Sequence, residues 1–521
     1  MKKTKNILIT TSGTGERLGI LSKYTNKSLV KVGDKYAICY IIESYDEPVE
    51  FIITLGYYGS YVKDFLLLAY PRKNITFVNI DNYDKCGSSL GYSLLQTKIY
   101  LQKPFIFHCC DSIIRKKINI KPNQNTLYVY SHTNNTNYAS INGKNNIVKV
   151  INNKNYYNFD YIYTGIVYIH DFKEFWESLE FNYNLNKMNN QLSDVDAIKL
   201  MLEKTIVFNY DILEEWYDTG NLESYQMICK IFKPVHYVLE KNYESLCFLQ
   251  DKVIKFINDK TINAKRIIRG NNLYPLTPQI INHTDNYIMM EYVNGQILSN
   301  VYQSGIIYDL LNWSKINLWT DLNVNNDYIN CCKRFYIIKT IERINKLSLI
   351  VKSEELNIIN GLKCSNVIDK IKELPDTLLT TNEFSKFHGD FILDNIIKTK
   401  TGFKLIDWRH EFDTQLEYGD IYYDLSKLRH NIILNHSNIL QDLFTIEFTD
   451  DNVVLDIKCN FFLIQELNDF DKFVLENNFN LYKVKLLTSL IWLNMAALYD
   501  DEKFSKFLFY FGKYNLFLLF K

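Results

Sequence analysis

The sequence lacks an excess of charge of either sign. Its 521 residues carry 59 Lys and Arg against 59 Asp and Glu, so the formal net charge is zero. Proteins that bind nucleic acid usually show a basic excess or a basic stripe, and this balance gives no such signature. We therefore expect no nucleic acid partner, although a local basic pocket for phosphates is compatible with the balance.

Cysteine pairs at metal-binding spacing are also missing. The ten cysteines are scattered at positions 39, 86, 109, 110, 229, 247, 331, 332, 364 and 459, and no two of them form a CxxC pair. Zinc sites and disulfide scaffolds depend on such spacing, so we expect neither. Free, buried thiols in a reducing cytoplasm are the expectation.

Long apolar runs are absent as well. The longest largely apolar run, 486–499, contains Thr488, Ser489 and Asn494 and is too short to span a bilayer. The opening MKKTKNILITTSG has too short an apolar core for a signal peptide. We therefore expect a cytoplasmic chain with no transmembrane segment.

What is present suffices for large cores in more than one domain. The chain is 47% hydrophobic and 15% aromatic, which argues against global disorder. Its length is too great for one ordinary domain. No Gly/Ser/Pro-rich linker divides it, so the boundary is predicted to be short, with domains at 1–232 and 236–521.

The first domain opens with an apolar segment that runs into a glycine turn. NILITTSGTGERL contains Gly13 and Gly15, which let the backbone approach a phosphate closely and take a positive φ. Backbone N–H groups in such a turn can cradle an anion, and Arg17 would add a fork of donors. The alternative is an ordinary turn between a strand and a helix.

A repeated pattern of strands and helices follows this turn. The segments EFIITLGYYGSYVKDFLLL, ITFVNID, GSSLGYSLLQTKIYL and PFIFHCCDSII alternate between strand-like and helix-like. This alternation predicts an α/β domain with a mostly parallel sheet flanked by helices. Ligands bind at the carboxyl ends of the strands in such sheets, which is where Arg17, Lys27 and Asp111 fall.

Taken in order, the motifs of residues 5–230 resemble the sugar nucleotidyltransferases, which couple a sugar 1-phosphate to an NTP. The family signature G-x-G-T-R-L and P-K-P-L corresponds to GTGERL and NKSL, with both prolines and the Thr replaced. Further matches follow in the family's order, namely GYYG, GSSLGYSLL, CCDSII, YTGIVYI and EWYDTGNLESY. The resemblance implies a Rossmann-like nucleotidyltransferase domain.

The resemblance also implies roles for single residues. Residues expected to bind the nucleotide are Gly13, Gly15, Arg17, Lys27 and Gly87, with Arg17 and Lys27 also catalytic. Asp111 and Asp218 are expected to hold Mg²⁺, and Lys154 and Gly165 to contact the acceptor. Three alternatives stay open: a helix cap for Asp111, a turn residue for Asp218 and a solvated loop lysine for Lys154.

The implied chemistry suits these residue types. A phosphate monoester oxygen attacks the α-phosphorus of an NTP, and pyrophosphate leaves. The nucleophile is already largely ionised, because its second pKa is about 6. Catalysis therefore needs positioning and charge neutralisation rather than a general base.

The second domain begins with strand-like segments. HYVLEKNYESLCFLQDKVIKFI predicts two or three antiparallel strands, and its Lys255 resembles the kinase lysine that binds the α- and β-phosphates of ATP. NYIMMEYVNG, with Glu291, resembles the strand that leads into the adenine-binding hinge. An ordinary strand lysine is the alternative for Lys255.

A catalytic-loop motif lies further on. FHGDFILDN has the kinase spacing H-x-D-x-x-x-x-N. Asp390 is placed to accept the proton of a substrate hydroxyl, and Asn395 to bind Mg²⁺. Asp407 in FKLIDWRHEF follows an apolar strand and is the second expected Mg²⁺ ligand. His388 is expected to orient the loop rather than to transfer protons.

The variants HGD, IDW and YGDIYYDLSKL resemble the aminoglycoside phosphotransferase and choline kinase superfamily, which phosphorylates hydroxyls of small molecules. This implies an α+β, bilobal, protein-kinase-like fold, with Asp420 and Asp424 bracing the loop or facing the substrate. Two features depart from the kinase pattern. Residues 236–269 contain no Gly-rich loop, and TINAKRIIRGNNL offers no Glu to Lys255.

Together the two resemblances predict a bifunctional enzyme. The second domain would phosphorylate a small hydroxyl compound with ATP, and the first would transfer a nucleotidyl group from CTP, UTP, GTP or dTTP to the phosphate ester. The product would serve glycan, capsule or lipid headgroup synthesis. Two alternatives stay open: a kinase-like half that only regulates, and a scaffold with both sites inactive. The aromatic C-terminus predicts a packed helix, or else a dimer or membrane-surface contact.

Overall fold

The computed structural model describes residues 5–46, 48–121, 123–134, 136–236, 243–350, 356–458 and 460–521, and for residues 348–350 and 437 it describes the backbone only. The chain divides into two compact units. The N-terminal unit comprises residues 1–260 and 282–289, and the C-terminal unit comprises residues 261–281 and 290–521. The strand-like segment 237–242 and Cys459 lie outside the described residues.

Within its described residues, the N-terminal unit contains fifteen complete strands. They are β1 (Lys5–Thr10), β2 (Lys31–Val32), β3 (Lys35–Tyr36), β4 (Val49–Leu55), β5 (Asn74–Asn79), β6 (Phe105–Cys109), β7 (Ser112–Ile113), β8 (Asn125–Tyr130), β9 (Ser140–Lys144), β10 (Ile147–Asn152), β11 (Tyr161–Ile169), β12 (Phe208–Ile212), β13 (Tyr217–Asp218), β14 (Glu244–Phe248) and β15 (Lys252–Ile257). Its α-helices are α1 (Ala37–Glu43), α2 (Gly59–Ala69), α3 (Leu90–Leu95), α4 (Phe172–Leu185), α5 (Asp194–Glu203) and α6 (Leu222–Ile231).

Nine of these strands form the central sheet of the described part of the unit, in the order β5-β4-β1-β6-β11-β8-β12-β10-β9. The strands β5, β4, β1 and β6 pair in parallel, as do β8 and β12. The other pairings are antiparallel. The α/β class of the N-terminal part is therefore confirmed, but the sheet is mixed rather than mostly parallel.

One of the antiparallel pairings, that of β9 with β10, follows from a short connection. Strands β9 and β10 are joined by Asn145 and Asn146, which have φ of 54° and 62°. Two consecutive residues at positive φ allow a tight hairpin, which only antiparallel strands can use, whereas parallel strands need a long crossover. The crossover helix α2 meets that need between β4 and β5.

Strand β1 lies in the middle of the parallel half and is buried on both faces. Ile7, Leu8 and Ile9 are all fully buried. A strand covered on both sides reads as a continuous apolar run, which is why the segment before the glycine turn lacks alternation. The turn after β1 is thereby fixed at the carboxyl edge of the sheet.

Strands β14 and β15 pack against the N-terminal core. Cys247 and Ile254 belong to the same buried cluster as Cys39 and Phe65. The Sγ atoms of Cys39 and Cys247 are 3.9 Å apart. For this reason the compact N-terminal unit extends to residue 260. The boundary between the two predicted domains, at 232–236, stays a prediction.

The limit between the two units passes through strands β16 (Ile280–His283) and β17 (Tyr287–Glu291). The later strands are β18 (Gln296–Ile297), β19 (Asn323–Val324), β20 (Ile358–Ile359), β21 (Leu362–Lys363), β22 (Glu383–Lys386), β23 (Ile396–Thr399), β24 (Gly402–Leu405), β25 (Tyr418–Gly419), β26 (Phe444–Phe448) and β27 (Val453–Ile457).

Helices dominate the C-terminal unit. They are α7 (Lys260–Leu273), α8 (Ile306–Asn317), α9 (Asp327–Cys332), α10 (Lys339–Ile350), α11 (Val367–Lys372), α12 (Asp376–Leu379), α13 (Ile421–Ile433), α14 (His436–Leu440), α15 (Phe461–Glu476), α16 (Leu481–Ala496) and α17 (Glu502–Leu518). Helix α16 packs against α10, α13 and α17. The unit combines helices with small sheets, and its kinase-like architecture stays a prediction.

The aromatic C-terminus forms helix α17, in which Phe504, Phe507 and Leu508 are buried. This placement agrees with the packed-helix interpretation. Among the described residues, no helix is both long enough and apolar enough to cross a membrane.

Gly56 gives a test of how closely β4 approaches the turn after β1. A Cβ added at Gly56 would lie 2.4 Å from the backbone O of Ser12, so Gly56→Ala must push two strand ends apart. We expect a loss of about 1–3 kcal/mol, as for other overpacked sites. Gly13→Ala is the matched control, because its Cβ would meet nothing within 4 Å. Equal urea midpoints for the two variants would contradict the expectation.

Candidate active sites

The turn after β1 is held in place by one asparagine side chain. The Nδ2 atom of Asn26 donates to the backbone O of Thr11 at 2.8 Å and to the backbone O of Tyr57 at 2.6 Å. The backbone N of Tyr57 donates to the O of Ser12 at 2.9 Å. These bonds join the ends of β1 and β4 to the segment that carries Lys27, so the turn has one defined shape.

Gly15 brings Lys27 against this turn. Gly15 has a φ of 72°, and a Cβ placed on it would lie 3.0 Å from the Cβ of Lys27. Glycine is therefore required both for the backbone conformation and for the close approach. The two parts of the GTGERL and NKSL signature meet at this contact.

Lys27 faces the first predicted metal ligand. Its Nζ lies 3.4 Å from Oδ2 of Asp111, in the turn between β6 and β7. Burial alone would lower the pKa of Lys27, but the Asp111 carboxylate raises it above its usual range. Burial would raise the pKa of Asp111, but Lys27 lowers it to about 2. The two charges therefore stabilise each other at neutral pH.

Asp218 is brought beside Asp111 by the short pairing of β7 with β13. The backbone N of Thr219 donates to the O of Asp111 at 2.8 Å. The position that a Cβ on Gly220 would take lies 2.9 Å from Oδ1 of Asp218 and 3.0 Å from Oδ2 of Asp111. Two carboxylates from distant segments thus converge on one point, and Nη2 of Arg17 is 3.5 Å from it.

The carboxylate of Asp218 is also partly engaged. Its Oδ2 accepts from the hydroxyl of Tyr138 at 3.0 Å, and its Oδ1 accepts from the N of Gly220 at 2.8 Å. The turn role and the metal role are therefore compatible. Burial, and then the nearby charge of Asp111, raise the pKa of Asp218 above its usual range. A cation between the two acids would relieve this repulsion.

Within the described residues, no group of three or more His, Cys, Asp or Glu side chains forms a metal cluster. The pair Asp111 and Asp218 still fits Mg²⁺, because this ion binds through one or two carboxylates together with substrate phosphates and water. The acidic oxygen donors and their mutual repulsion are the observations that support this fit.

The two predicted acceptor contacts lie near these acids. Burial, and then the charge of Arg17, lower the pKa of Lys154, whereas Asp111 and Asp218 act in the opposite direction. Lys154 is therefore close enough to all three charges to interact with them. Gly165 has a φ of 75° at the bulge in β11. A Cβ there would lie 2.3 Å from Sγ of Cys109, next to the Asp111 turn, so Gly165 lets β11 pass close to it.

Gly87 lies in the loop before α3. It has a φ of 84°, and its backbone N donates to Oδ1 of Asn190 at 2.9 Å. The Oγ of Ser93 in α3 is 3.0 Å from the Oγ of Ser12. Helix α3 is therefore tied to the turn after β1, and Gly87 precedes it at the same edge of the sheet. The nucleotide role of Gly87 stays a prediction.

In the C-terminal unit, the loop 387–395 is held by a buried carboxylate on α13. Oδ2 of Asp424 accepts from the backbone N of His388, and Oδ1 accepts from that of Gly389, both at 2.7 Å. Burial raises the pKa of Asp424 to about 6 despite these bonds. Of the two predicted roles for this side chain, the structure favours the brace.

His388 is likewise a structural part of the loop. It is fully buried, and its Nδ1 accepts from the N of Asp390 at 3.3 Å. The Nε2 atom therefore carries the proton and donates to the O of Ile406 at 2.9 Å. Burial lowers the pKa of His388 to about 4, so the ring is neutral near pH 7.

Asp390 lies between a lysine and the predicted metal-binding asparagine. Oδ1 of Asp390 is 2.8 Å from Nζ of Lys427, and its Oδ2 accepts from Nδ2 of Asn395 at 3.1 Å. Burial would raise the pKa of Asp390, but Lys427 lowers it to about 2. The sequence analysis missed Lys427, although it lies three residues after Asp424 and so shares its face of α13.

Asp407 follows β24 with a left-handed φ of 53°. Such a conformation is uncommon outside glycine and often marks functional sites. Oδ1 of Asp407 is 2.6 Å from Nη1 of Arg266 on α7. The same helix supplies Arg269, whose guanidinium is buried and donates to the backbone O atoms of Phe387 and Arg409. Helix α7 therefore contacts both the metal-ligand candidate Asp407 and the loop 387–395.

Two further predicted residues, Asp420 and Glu291, have other neighbours than expected. Asp420 is fully buried, caps α13 at the N of Tyr422 and accepts from the hydroxyl of Tyr336. These partners lie outside the loop 387–395, so both predicted roles of Asp420 stay predictions. The Oε1 of Glu291 accepts from the N of Gln279 at 3.1 Å.

Lys255 forms an ion pair with an acid on the neighbouring strand. In the N-terminal unit, its Nζ is 3.2 Å from Oε2 of Glu244 on the neighbouring strand β14. The expected glutamate in the following helix is absent, and Glu244 supplies the acid instead. The nucleotide roles of Lys255 and Glu291 stay predictions.

Comparisons with known proteins give no family. No protein-family model and no curated protein sequence matches this chain. The N-terminal part is similar to CTP:phosphocholine cytidylyltransferase (LicC) from Streptococcus pneumoniae, with 21% identity, a TM-score of 0.39, and 44% of this chain and 100% of that chain covered.

Two more solved structures are similar to the same part. A putative glucose-1-phosphate thymidylyltransferase from Bacillus anthracis has 18% identity and a TM-score of 0.38, with 46% of this chain and 98% of that chain covered. An inositol-1-phosphate CTP transferase from T. maritima has 14% identity and a TM-score of 0.36, with 45% and 98% covered. At these identities and TM-scores the likenesses establish neither fold nor activity.

The brace at Asp424 gives a test of stability. Asp424→Asn removes the charge and leaves one of two buried backbone N–H groups without a good acceptor, so we expect a loss of about 1–3 kcal/mol. Asp442→Asn is the control, because Asp442 forms an exposed ion pair with Lys503 that is worth less than about 1 kcal/mol. Amide hydrogen exchange of residues 387–395 should rise only in Asp424→Asn. Unchanged exchange there would show that the loop does not depend on this carboxylate.

Proposed function

We propose that the chain is a bifunctional transferase. The C-terminal unit phosphorylates a hydroxyl of a small molecule with ATP, and the N-terminal unit transfers a nucleotidyl group from an NTP to the resulting phosphate. The observation that supports the second step most directly is the convergence of Lys27, Arg17, Asp111 and Asp218 at the glycine turn.

In the proposed nucleotidyl transfer, a phosphate oxygen of the acceptor forms a bond to the α-phosphorus of the NTP. The bond from the α-phosphorus to the bridging oxygen breaks, and pyrophosphate leaves with that electron pair. Arg17 and Lys27 hold and neutralise the triphosphate, and Lys154 attracts the acceptor phosphate. Mg²⁺, held by Asp111 and Asp218, would supply charge neutralisation across the reacting phosphates.

In the proposed kinase step, the substrate hydroxyl oxygen forms a bond to the γ-phosphorus of ATP. The bond from the γ-phosphorus to the oxygen that bridges it to the β-phosphorus breaks, and ADP leaves with that electron pair. Asp390, whose low pKa keeps it ionised near neutral pH, orients the hydroxyl and receives its proton as the new bond forms. Asn395 and Asp407 are the proposed Mg²⁺ ligands, with the same charge-neutralising chemistry. Lys427 keeps Asp390 ionised and oriented.

A second candidate function is supported by a specific observation. Asp390 and Asp407 are each paired with a cation, Lys427 and Arg266 respectively. Because Lys427 competes with the substrate hydroxyl for Asp390, and Arg266 competes with Mg²⁺ for Asp407, the alternative is a C-terminal unit that binds nucleotide only to regulate the N-terminal unit. The experiment below distinguishes the two.

The two-step reaction is tested with the full chain, Mg²⁺, ATP and one of CTP, UTP, GTP or dTTP. The acceptors are a panel of sugars, polyols, sugar acids and amino alcohols, and products are identified by mass spectrometry. Asp390→Ala should abolish the phosphate ester, because the hydroxyl loses its proton acceptor. Asp111→Ala should accumulate that ester, because only the second step fails.

Matched controls accompany these variants. Asp442→Ala and Asp211→Ala remove acids from surface ion pairs with Lys503 and Lys121 and should leave both steps intact. If nucleotide adducts arise only from supplied phosphate esters and Asp390→Ala changes nothing, the kinase step is wrong and the regulatory alternative stands.

Lys27 gives a separate test of the nucleotidyl transfer. Lys27→Met removes a partly buried cation from the proposed triphosphate site, and we expect kcat/KM for the NTP to fall about 10²–10³-fold, as when one transition-state donor is lost. Lys35→Met is the matched control, because Lys35 forms a surface ion pair with Glu43. A comparable loss in both variants would show that Lys27 has no specific role in transfer.

A further inference from the structure

A cluster of positive charges surrounds one buried ring in the C-terminal unit. Phe335 lies in a π-helical segment, Lys333–Ile338, just before α10. Nζ of Lys339 is 4.2 Å from the centroid of the Phe335 ring, and Cζ of Arg409 is 5.0 Å from it. Arg343 follows one turn after Lys339. We call Lys339, Arg343 and Arg409 the cationic cluster.

This cluster adjoins the catalytic loop. The backbone N of Arg409 donates to the O of His388 at 3.1 Å. A Cβ placed on Gly389 would lie 2.6 Å from the Cβ of Arg409. Tyr423, on the same helix as Lys427, packs edge-on against Phe335 with centroids 4.9 Å apart. The cluster is therefore anchored next to Asp390.

The acids near the cluster are committed to other cations. Asp413 is paired with Arg334 at 2.7 Å, and Glu411 with Lys265 at 2.6 Å. Among the described residues, the ammonium of Lys339 makes no hydrogen bond or ion pair, and its contact is the face of the Phe335 ring.

The electrostatics of Lys339 agree with an excess of positive charge. Burial, then Arg409 and Arg343, lower its pKa to about 6, and Asp413 and Glu411 act only weakly in the opposite direction. A group of cations this close together is unfavourable unless an anion joins it. Such an anion would restore full protonation of Lys339.

We propose that the hydroxyl compound phosphorylated in the C-terminal unit carries an anionic group, a carboxylate or a phosphate, which is held by Lys339 and Arg409 with Arg343 behind them. The proposal rests on the proposed kinase step. Guanidinium and ammonium groups recognise these two anions in the same way. The same cluster repels amino alcohols, so choline and ethanolamine are disfavoured as acceptors.

The first experiment compares acceptors in which a carboxylate replaces one hydroxymethyl group. Gluconate is paired with sorbitol and glycerate with glycerol, and kcat/KM for phosphorylation by ATP is measured with the full chain. We expect the anionic member to be preferred about 10- to 100-fold, as for a charge-assisted contact. Lys339→Met should remove this preference by lowering the value for the anion alone, and Lys339→Arg should restore it.

Lys333→Met is the matched control, because Lys333 lies one and a half turns earlier and pairs with Asp376. It should leave the preference unchanged. A preference for the neutral or amino member, or an equal loss for both members in Lys339→Met, would overturn the proposal.

The second experiment does not depend on catalysis. Lysine acetylation by acetic anhydride at pH 7 is followed by peptide mass spectrometry in the presence of inorganic phosphate, glycerate, gluconate or sorbitol. At least one anion should slow labelling of Lys339 about tenfold or more, whereas sorbitol should not, and Lys333 should be unaffected in every case.

The two experiments separate the proposals. If no compound is phosphorylated but an anion still protects Lys339, the kinase step fails and the anion site stands. If none of the three anions protects Lys339, the anion site is overturned, whatever the kinase assay gives.

Discussion

A buried carboxylate must be fully satisfied by donors, and in the C-terminal unit this requirement fixes the loop 387–395. Asp424 accepts the backbone N–H groups of His388 and Gly389, so the loop can take only the path that aims both groups at α13. The next turn of α13 supplies Lys427 to Asp390. One helix therefore sets both the shape of the loop and the charge of its central acid, while Arg269 fixes the loop from the other side.

The sequence predicted those features of the fold and of the sites that depend on residues close together in the chain. The glycine turn, the apolar strand before it and the H-x-D-x-x-x-x-N spacing depend on residues within one or two elements, so they are visible without a structure. The strand pattern also placed Arg17, Lys27 and Asp111 at strand ends, and the family resemblance added Asp218 as a metal ligand. The structure brings these side chains together. The mixed sheet was not predicted, because the antiparallel pairings of β11 with β6 and β8 join strands that lie far apart in the sequence.

What the sequence could not supply are the partners that depend on packing between distant segments. Lys427 and Arg266, which face Asp390 and Asp407, lie 37 and 141 residues away from them, and no spacing rule connects such pairs. Asp420 and Asp424 lie in one motif, yet Asp424 binds the loop 387–395 whereas Asp420 caps α13 and binds Tyr336. The partner that a buried carboxylate finds is a property of the fold.

The ion pair between Lys255 and Glu244 has a consequence for control. Both residues lie on one hairpin, where Lys255 is opposite Leu246 and Glu244 is its diagonal neighbour on the same face. The pair is therefore set by strand register, and it persists as long as the hairpin is folded. An acid on the neighbouring strand moves together with the lysine, so a shift of a helix would not by itself separate this pair.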